Sequence, residues 1–424
     1  MSVARNLQYR CLRCECIRMG TLEIDSRGCL DCRRQAPANF HAQFDREWEV
    51  ENVRIADVAA NVPSLWRYAG MLPVAAEMAV SLGEGLTPLR RATTIGAQLG
   101  LEDLFIKDES RNPTWSHKDR FSTLAVSYAR LSGARIVATA SSGNAGASLA
   151  AYAAKAGLRC VVATFAGAAG PMVAQIEKYG AEIVAFSQKS DRWTFLSQGA
   201  ARHGWSVMSP FRAPVVGSHP IGIEGYKTIA YEIVEQMDSD VPDWCVLPVC
   251  YGDALSGIWL GFKELHELGV IKRLPRLAAA EIYGSLSTAL QGDGDRVPDV
   301  VRSFSTLASS IGAPQSSFQA LTALRESGGV ACPVDNDGLV DLQTQLARSE
   351  GIYAELSSVT PLMAISQLRH SGVLSPQDKV VAVVTASGLK DTDISHGNGQ
   401  SPASFNSPAE AWLSLGAGTP PGKD

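Results

Sequence analysis

A lysine at the start of a helix, two polar turns between strand and helix, and a run of closely spaced cysteines are the features that could do chemistry. In Asn112-Pro113-Thr114-Trp115-Ser116-His117-Lys118, Pro113 and Ser116 punctuate the entry to a helix that begins near Lys118 and runs through Leu124 and Tyr128. An ammonium in the first turn sits against the positive end of the helix dipole, which favours the neutral, nucleophilic amine. A lysine that forms Schiff bases needs such a lowered pKa; taken alone, Lys118 reads more readily as a solvated surface lysine. Ser141-Ser142-Gly143-Asn144-Ala145-Gly146 and Tyr251-Gly252-Asp253-Ala254-Leu255-Ser256-Gly257 each lie between a strand and a helix. Free amides at those helix starts could bind a carboxylate or phosphate. Each turn also reads as an ordinary helix cap, with Asp253 as the capping residue. The chain has no Gly-Lys phosphate loop, no GxGxxG after the first strand and no G-x-S-x-G elbow.

The surrounding pattern supplies the elements that would position these groups. Ala134–Thr139, Cys160–Thr164, Glu182–Phe186, Trp244–Val249 and Val380–Val384 read as buried strands. Ala145–Lys155, closed by Gly157, and the stretch from about Ala254 to Leu268 read as helices. Alternation of strand, small-residue turn and helix predicts an α/β fold with mostly parallel sheets and helices on both faces. Ligands in such sheets sit where strands end and helices begin.

Composition narrows the class. Apolar residues make up 46% of the 424 and charged residues 19%, enough to fill a large core. A net charge of −5 gives no basic footprint for nucleic acid. No stretch is apolar and long enough to span a membrane, and Met1–Gln8 lacks the apolar core of a secretory signal, so a cytoplasmic location is expected. Residues 1–45 hold five of the nine cysteines. Cys11-x2-Cys14 and Cys29-x2-Cys32 have the spacing of a four-thiolate zinc ribbon, with Cys16 as a spare; the alternative is a ribbon with free thiols. Cys160, Cys245 and Cys332 lie in apolar runs and read as core.

Taken in order, the Lys118 segment, Ser141–Gly146, Tyr251–Gly257 and Thr385–Asp391 resemble the pyridoxal-phosphate enzymes of the tryptophan-synthase β-subunit fold, and within them the threonine synthases. Leu82-Gly83-Glu84-Gly85-Leu86-Thr87-Pro88-Leu89, Ile106-Lys107-Asp108-Glu109 and Glu224-Gly225-Tyr226-Lys227-Thr228 add to the likeness. The resemblance implies two open, doubly wound sheets. It implies a large cofactor-binding domain (46–120 and 216–395) and a small domain for the substrate carboxylate (121–215); composition adds a cysteine-rich start (1–45) and a Gly-, Pro- and Ser-rich flexible tail (396–424). It further implies that Lys118 carries pyridoxal 5′-phosphate as a Schiff base and moves the substrate proton. Asn144 would meet the cofactor's phenolic oxygen, and the backbone of Gly252, Asp253, Ala254, Leu255 and Ser256 its phosphate. Thr385 would face the pyridine nitrogen. Thr87, Ser141, Ser142, Gly143 and Gly146 would meet the substrate, a small amino acid. A homodimer is expected by the same analogy. Structural zinc on Cys11, Cys14, Cys29 and Cys32 also fits the resemblance.

The departures bear on substrate. Cys250 and Asp253 stand where the family usually has glycine, and a carboxylate beside a phosphate dianion repels it unless turned away. Ser206-Val207 replaces an Asn-Ser pair expected for a substrate phosphate, and about ten extra residues, Ala213–Gly222, precede Glu224. His117, in place of phenylalanine, either assists proton transfer or packs. Three functions are consistent with these features: threonine synthase or a close relative, a β-eliminating or β-replacing enzyme such as a serine/threonine dehydratase-like ammonia-lyase, and a non-catalytic amino-acid sensor. The joint presence of Lys118, Asn144 and Thr385 argues against the last.

Overall fold

The computed structural model describes residues 6–19, 26–32, 36–46, 62–392 and 404–415. Of the expected C-terminal tail, the described residues include one short helix, Pro408–Ser414; most of the rest lies outside them.

Three antiparallel strands open the chain: β1 (Gln8–Cys11), β2 (Ile17–Met19) and β3 (Phe40–Gln43), in the order β2-β1-β3. The next strands are β4 (Leu89–Arg91), β5 (Asp103–Asp108), β6 (Ile136–Thr139), β7 (Arg159–Phe165), β8 (Glu182–Phe186) and β9 (Ser206–Val207). They are followed by β10 (Trp244–Pro248), β11 (Arg276–Glu281), β12 (Val330–Pro333) and β13 (Lys379–Val384). Six of these form one sheet, β12-β11-β10-β13-β5-β4, parallel except where β4 pairs antiparallel with β5. The other four form an all-parallel sheet, β8-β7-β6-β9. The expected α/β architecture of two mostly parallel sheets is therefore present.

The helices are α1 (Thr93–Gln98), α2 (Lys118–Leu131), α3 (Asn144–Ala156), α4 (Pro171–Lys178), α5 (Asp191–His203) and α6 (Pro220–Glu224). After them come α7 (Lys227–Gln236), α8 (Asp253–Glu267), α9 (Ser285–Leu290), α10 (Phe318–Glu326), α11 (Leu339–Glu350) and α12 (Leu356–His370). Strand alternation distributes side chains between two cores. On β10, Cys245 and Leu247 face α8, α10 and the second sheet's helices, whereas Trp244 and Val246 face α12. Ala138, Val161 and Ala163 turn the other way, toward Leu196 of α5. β11 is Arg276-Leu277-Ala278-Ala279-Ala280-Glu281, a composition that favours helix in isolation. It is a strand because it pairs along both edges, with β10 and β12, and the layers above and below the sheet bury both its faces. No described helix is long and apolar enough to cross a membrane.

The cysteine-rich start docks on the body of the molecule. Tyr9, Cys11, Cys29, Cys32 and Phe40 pack with Leu124 and Tyr128 of α2 and Ile221 of α6. The Tyr9 and Tyr128 hydroxyls meet at 2.9 Å. This segment therefore leans on the same helix that begins at Lys118.

Candidate active site

Lys118 occupies the first position of α2, on the floor of a cleft of about 1320 Å³. The half-buried amine lies 3.3 Å from the Tyr226 hydroxyl and 5.5 Å from that ring's centre. Burial lowers the lysine pKa, opposed by Asp253, Cys250 and Glu355 nearby. The same cleft is lined by Ser141, Ser142, Gly143 and Asn144 on one wall, by Gly252, Asp253, Ala254 and Leu255 on another, and by Thr385. Ten of the residues given a cofactor or substrate role from the sequence, Lys118 included, thus line one cavity.

Both turns present helix starts to that cavity. The first three amides of α3 and α8 have no partner within their helices, by the geometry of any helix start. Gly252 is obligatory for α8: its φ is +84°, and a Cβ there would fall 2.2 Å from Ala320 Cβ. The Asp253 carboxylate is turned off the helix start. It accepts from Ser218 N at 3.0 Å, Ser218 Oγ at 2.6 Å and Gln319 Nε2 at 2.6 Å. Two departures noted in the sequence thus meet each other, since Ser218 belongs to the extra segment Ala213–Gly222.

Three expected contact residues do not line the cleft. The Ser256 amide donates to the Gly252 carbonyl at 2.9 Å, so it is spent inside α8. Gly146 is a packing residue: a Cβ there would lie 1.9 Å from the Ser141 carbonyl oxygen, so glycine lets α3 approach the turn. Thr87 is only 1% exposed, and its hydroxyl donates to Glu109 at 2.6 Å.

Thr87 is part of a buried ionic cluster behind the amine. The Arg120 guanidinium, two residues after Lys118, makes bonds of 2.7 Å to both oxygens of Glu109 and of 2.6 and 2.7 Å to those of Glu232. Lys107 Nζ adds a 2.7 Å bond to Glu232, and the amides of Leu86 and Thr87 also donate to that carboxylate. Two cations therefore balance two carboxylates in a site with no water access. The stretches Gly83–Pro88, Lys107–Glu109 and Gly225–Thr228 converge here and brace α2; of their residues, Tyr226 reaches the cleft.

Other cleft residues had no assigned role in the sequence. Glu355, 2% exposed, accepts from Asn144 Nδ2 at 2.6 Å and from the Ser310 hydroxyl. Asn144 Oδ1 is buried and has no partner. Tyr226 stands in a quoted motif, yet nothing in its spacing marks it as the residue beside the lysine. His117 stacks on Tyr226 at 5.5 Å, and its Nδ1 lies 3.2 Å from the Thr385 carbonyl. Burial and Lys118 push its pKa well below the usual histidine value, so it packs as a neutral ring. The Thr385 hydroxyl pairs with Ser358 at 2.8 Å. Lys189, Arg192, Arg302 and Lys390 also reach the cleft.

The cysteines form a separate cluster. Sulfur atoms of Cys11, Cys14, Cys16 and Cys29 all lie within 4.8 Å of one another, and Cys32 is 3.7 Å from Cys11. Cys14 and Cys16 approach Cys29 at 3.6 and 3.4 Å. A tetrahedral thiolate site with zinc–sulfur bonds of about 2.3 Å has sulfur–sulfur edges of about 3.8 Å. The donor set therefore fits such an ion, with Cys16 as close as the four expected ligands.

Two helix starts and a half-buried amine on one cleft fit an anionic aldehyde cofactor. Comparison with known proteins bears on the same point. Residues 80–386 match the family model "Pyridoxal-phosphate dependent enzyme". Curated relatives include threonine synthase of Methanocaldococcus jannaschii, 35% identical over 339 residues (78% of this chain, 81% of the relative). That of Methanosarcina acetivorans is 36% identical over 334 residues, covering 78% of this chain and 80% of the relative. Among solved structures, maize serine racemase superposes with a TM-score of 0.61 at 21% identity, covering 71% of this chain and 88% of that one. A fungal L-serine ammonia-lyase from Rhizomucor miehei gives 0.60 at 20% identity, covering 72% and 94%. These two likenesses concern the fold. The match across nearly the whole central body, with Lys118 at the floor of its cleft, places this chain in the family of pyridoxal-phosphate-dependent enzymes.

Proposed function

We propose that this pyridoxal-phosphate-dependent lyase is a threonine synthase, releasing phosphate from O-phospho-L-homoserine and adding water to give L-threonine. The observation that carries the reading is sequence identity of about 35% to threonine synthases across four-fifths of their length. Cations along the cleft, Lys189, Arg192 and Arg302, support it by favouring a substrate with an anionic tail.

The bound cofactor supplies an aldehyde for the amine and a ring that delocalises carbanion charge. Lys118 would hold the cofactor and carry the proton taken from the substrate's α-carbon, a task that a partly desolvated amine suits. The Ser141–Gly143 turn would receive the α-carboxylate on the free amides of α3. Gly252 and the first turn of α8 would hold the cofactor phosphate, and Asn144 its phenolic oxygen. Thr385, a hydroxyl already paired with Ser358, would face the ring nitrogen. It cannot protonate that nitrogen as a carboxylic acid would, which suits elimination better than transamination. The cysteine cluster would hold zinc in a structural role, since a closed thiolate set leaves no open coordination position.

Two observations favour a second reading, a β-eliminating ammonia-lyase. Val207, where a polar phosphate contact is expected, is fully buried in an apolar cluster. The Arg212 guanidinium points to Ser197 at 3.3 Å and does not line the cleft. The deciding experiment offers the holoenzyme each substrate. Stoichiometric phosphate and threonine from phosphohomoserine support the synthase. Ammonia and a keto acid from serine or threonine, without phosphate release, replace it with the lyase. Borohydride fixation should label Lys118, and Lys118→Ala should fold yet neither turn over nor take the label.

A further inference from the structure

The carboxylate of Asp253 is a hazard at a phosphate site. It sits at the first position of α8, where its own helix start would attract it and where a bound dianion would repel it. What keeps it away comes from three distant parts of the chain. Ser218 and Gln319 donate to it, and behind both stands Asn39, fully buried. Asn39 Nδ2 donates to the Ser218 carbonyl at 3.0 Å and to Gln319 Oε1 at 3.2 Å. Its own carbonyl accepts the Leu12 amide at 3.0 Å, inside the loop that carries Cys11 and Cys14. The four groups meet around Gly217, whose φ is +114°. A Cβ there would fall 2.2 Å from Gln319 Nε2, 2.8 Å from Asp253 Oδ1 and 2.9 Å from Asn39 Nδ2.

The cysteine-rich segment grips α10 at a second point, next to Gln319. The Arg13 guanidinium, between Cys11 and Cys14, stacks 3.7 Å above the Phe318 ring. Gln319 is thereby oriented from its backbone side by Arg13 and from its amide oxygen by Asn39.

We propose that Asn39 is a positioning residue for the cofactor phosphate: through Ser218 and Gln319 it holds the Asp253 carboxylate off the α8 helix start. The cysteine-rich segment thus belongs functionally to the cofactor site although none of its described residues lines the cleft. This rests on the assignment of the Gly252–Leu255 turn as the phosphate site.

The test uses the full-length apoprotein and two probes, pyridoxal phosphate and pyridoxal, which lacks the phosphate. Asn39→Ala removes a hydrogen-bond partner from a buried charged network and should weaken pyridoxal phosphate by about tenfold or more. Affinity for pyridoxal should stay within about twofold, because Asp253 opposes only the dianion. Adding Asp253→Gly to Asn39→Ala should restore phosphate binding, a rescue that general destabilisation would not give. Gly217→Ala, which crowds the same junction, should reproduce the selective loss if Asn39→Ala fails to fold. Equal weakening of both aldehydes, no weakening, or no rescue by Asp253→Gly each overturns the proposal. Gly252→Ala separates the underlying assignment: if it weakens the phosphate form selectively while Asn39→Ala does not, the turn stands and the strut falls. If neither variant discriminates between the aldehydes, the turn itself is misassigned.

Discussion

Replacing Arg120 with methionine should be among the most damaging single changes available in this protein, although Arg120 lines no part of the cleft. Its guanidinium is fully buried and gives four bonds of 2.6 to 2.7 Å to Glu109 and Glu232. Methionine fills much of the same volume, so little of the loss comes from a cavity. The loss comes from charge. Glu232 would keep Lys107 at 2.7 Å, but Glu109 would keep only neutral partners, Asn112 and Thr87, at 2.9 and 2.6 Å. Removing one partner from a buried ion pair costs about 3–5 kcal/mol. Against a total of about 5–15 kcal/mol, that is a large fraction of the stability. Urea unfolding followed by tryptophan fluorescence, with the apoprotein to exclude cofactor stabilisation, reads the change. Adding Glu109→Gln to the variant should recover part of the loss, because the orphaned carboxylate is its source. The network also sets an acid limit. Glu232 is held down to about 2, below its ordinary 4.5, mainly by Arg120 and Lys107 acting against burial. A depressed carboxylate stabilises the fold above its unfolded pKa and loses that contribution as pH falls toward the folded value. Wild-type stability should therefore decline from about pH 4.5 toward 2, and the variant should show a shallower decline. A loss below about 1 kcal/mol, or no recovery with Glu109→Gln, would refute the electrostatic account.

Ser142→Ala should raise the substrate KM more than it weakens cofactor binding, since the hydroxyl lies on the proposed carboxylate turn; parallel loss of both would move that residue to the cofactor side. Metal analysis of the purified protein should find about one zinc per chain, lost in Cys29→Ser, because Cys29 touches both Cys14 and Cys16; equal metal content in the two proteins would exclude Cys29 as a ligand. Lys390 is 2% exposed, and burial lowers its pKa from 10.5 to about 8, with Asp119 and Glu355 opposing. Between those values the unfolded chain holds the proton more tightly, so this group should make stability rise with pH across that window. Lys390→Met should abolish that rise; an unchanged alkaline profile would count against it.

How much of this was legible in the chain depends on the range over which each feature is determined. Helices α2, α3 and α8 were readable because caps, glycine stops and apolar spacing act over a few residues. The order of Lys118, the Ser141 turn, the Gly252 turn and Thr385 indicated one site through its family resemblance, in keeping with the way α/β topology places ligands at strand ends. β11 was not readable, because three alanines favour helix until a sheet buries both their faces.

Side-chain direction was the other thing only the tertiary structure decided. The sequence placed Asp253 beside a phosphate turn, but whether it repels or points away depends on Ser218, Gln319 and Asn39, which chain spacing cannot bring together. Thr87 and Gly146 sit in motifs that look like substrate contacts; packing made one a bond to Glu109 and the other a gap for the Ser141 carbonyl. Glu355 and Tyr226 joined the cleft unannounced for the same reason. Residue type and local pattern determined which chemistry this protein could carry, because propensity and capping are short-range properties. Which group faces the reacting atoms was settled by partners far away in the chain, because a buried polar atom takes its direction from whatever satisfies it.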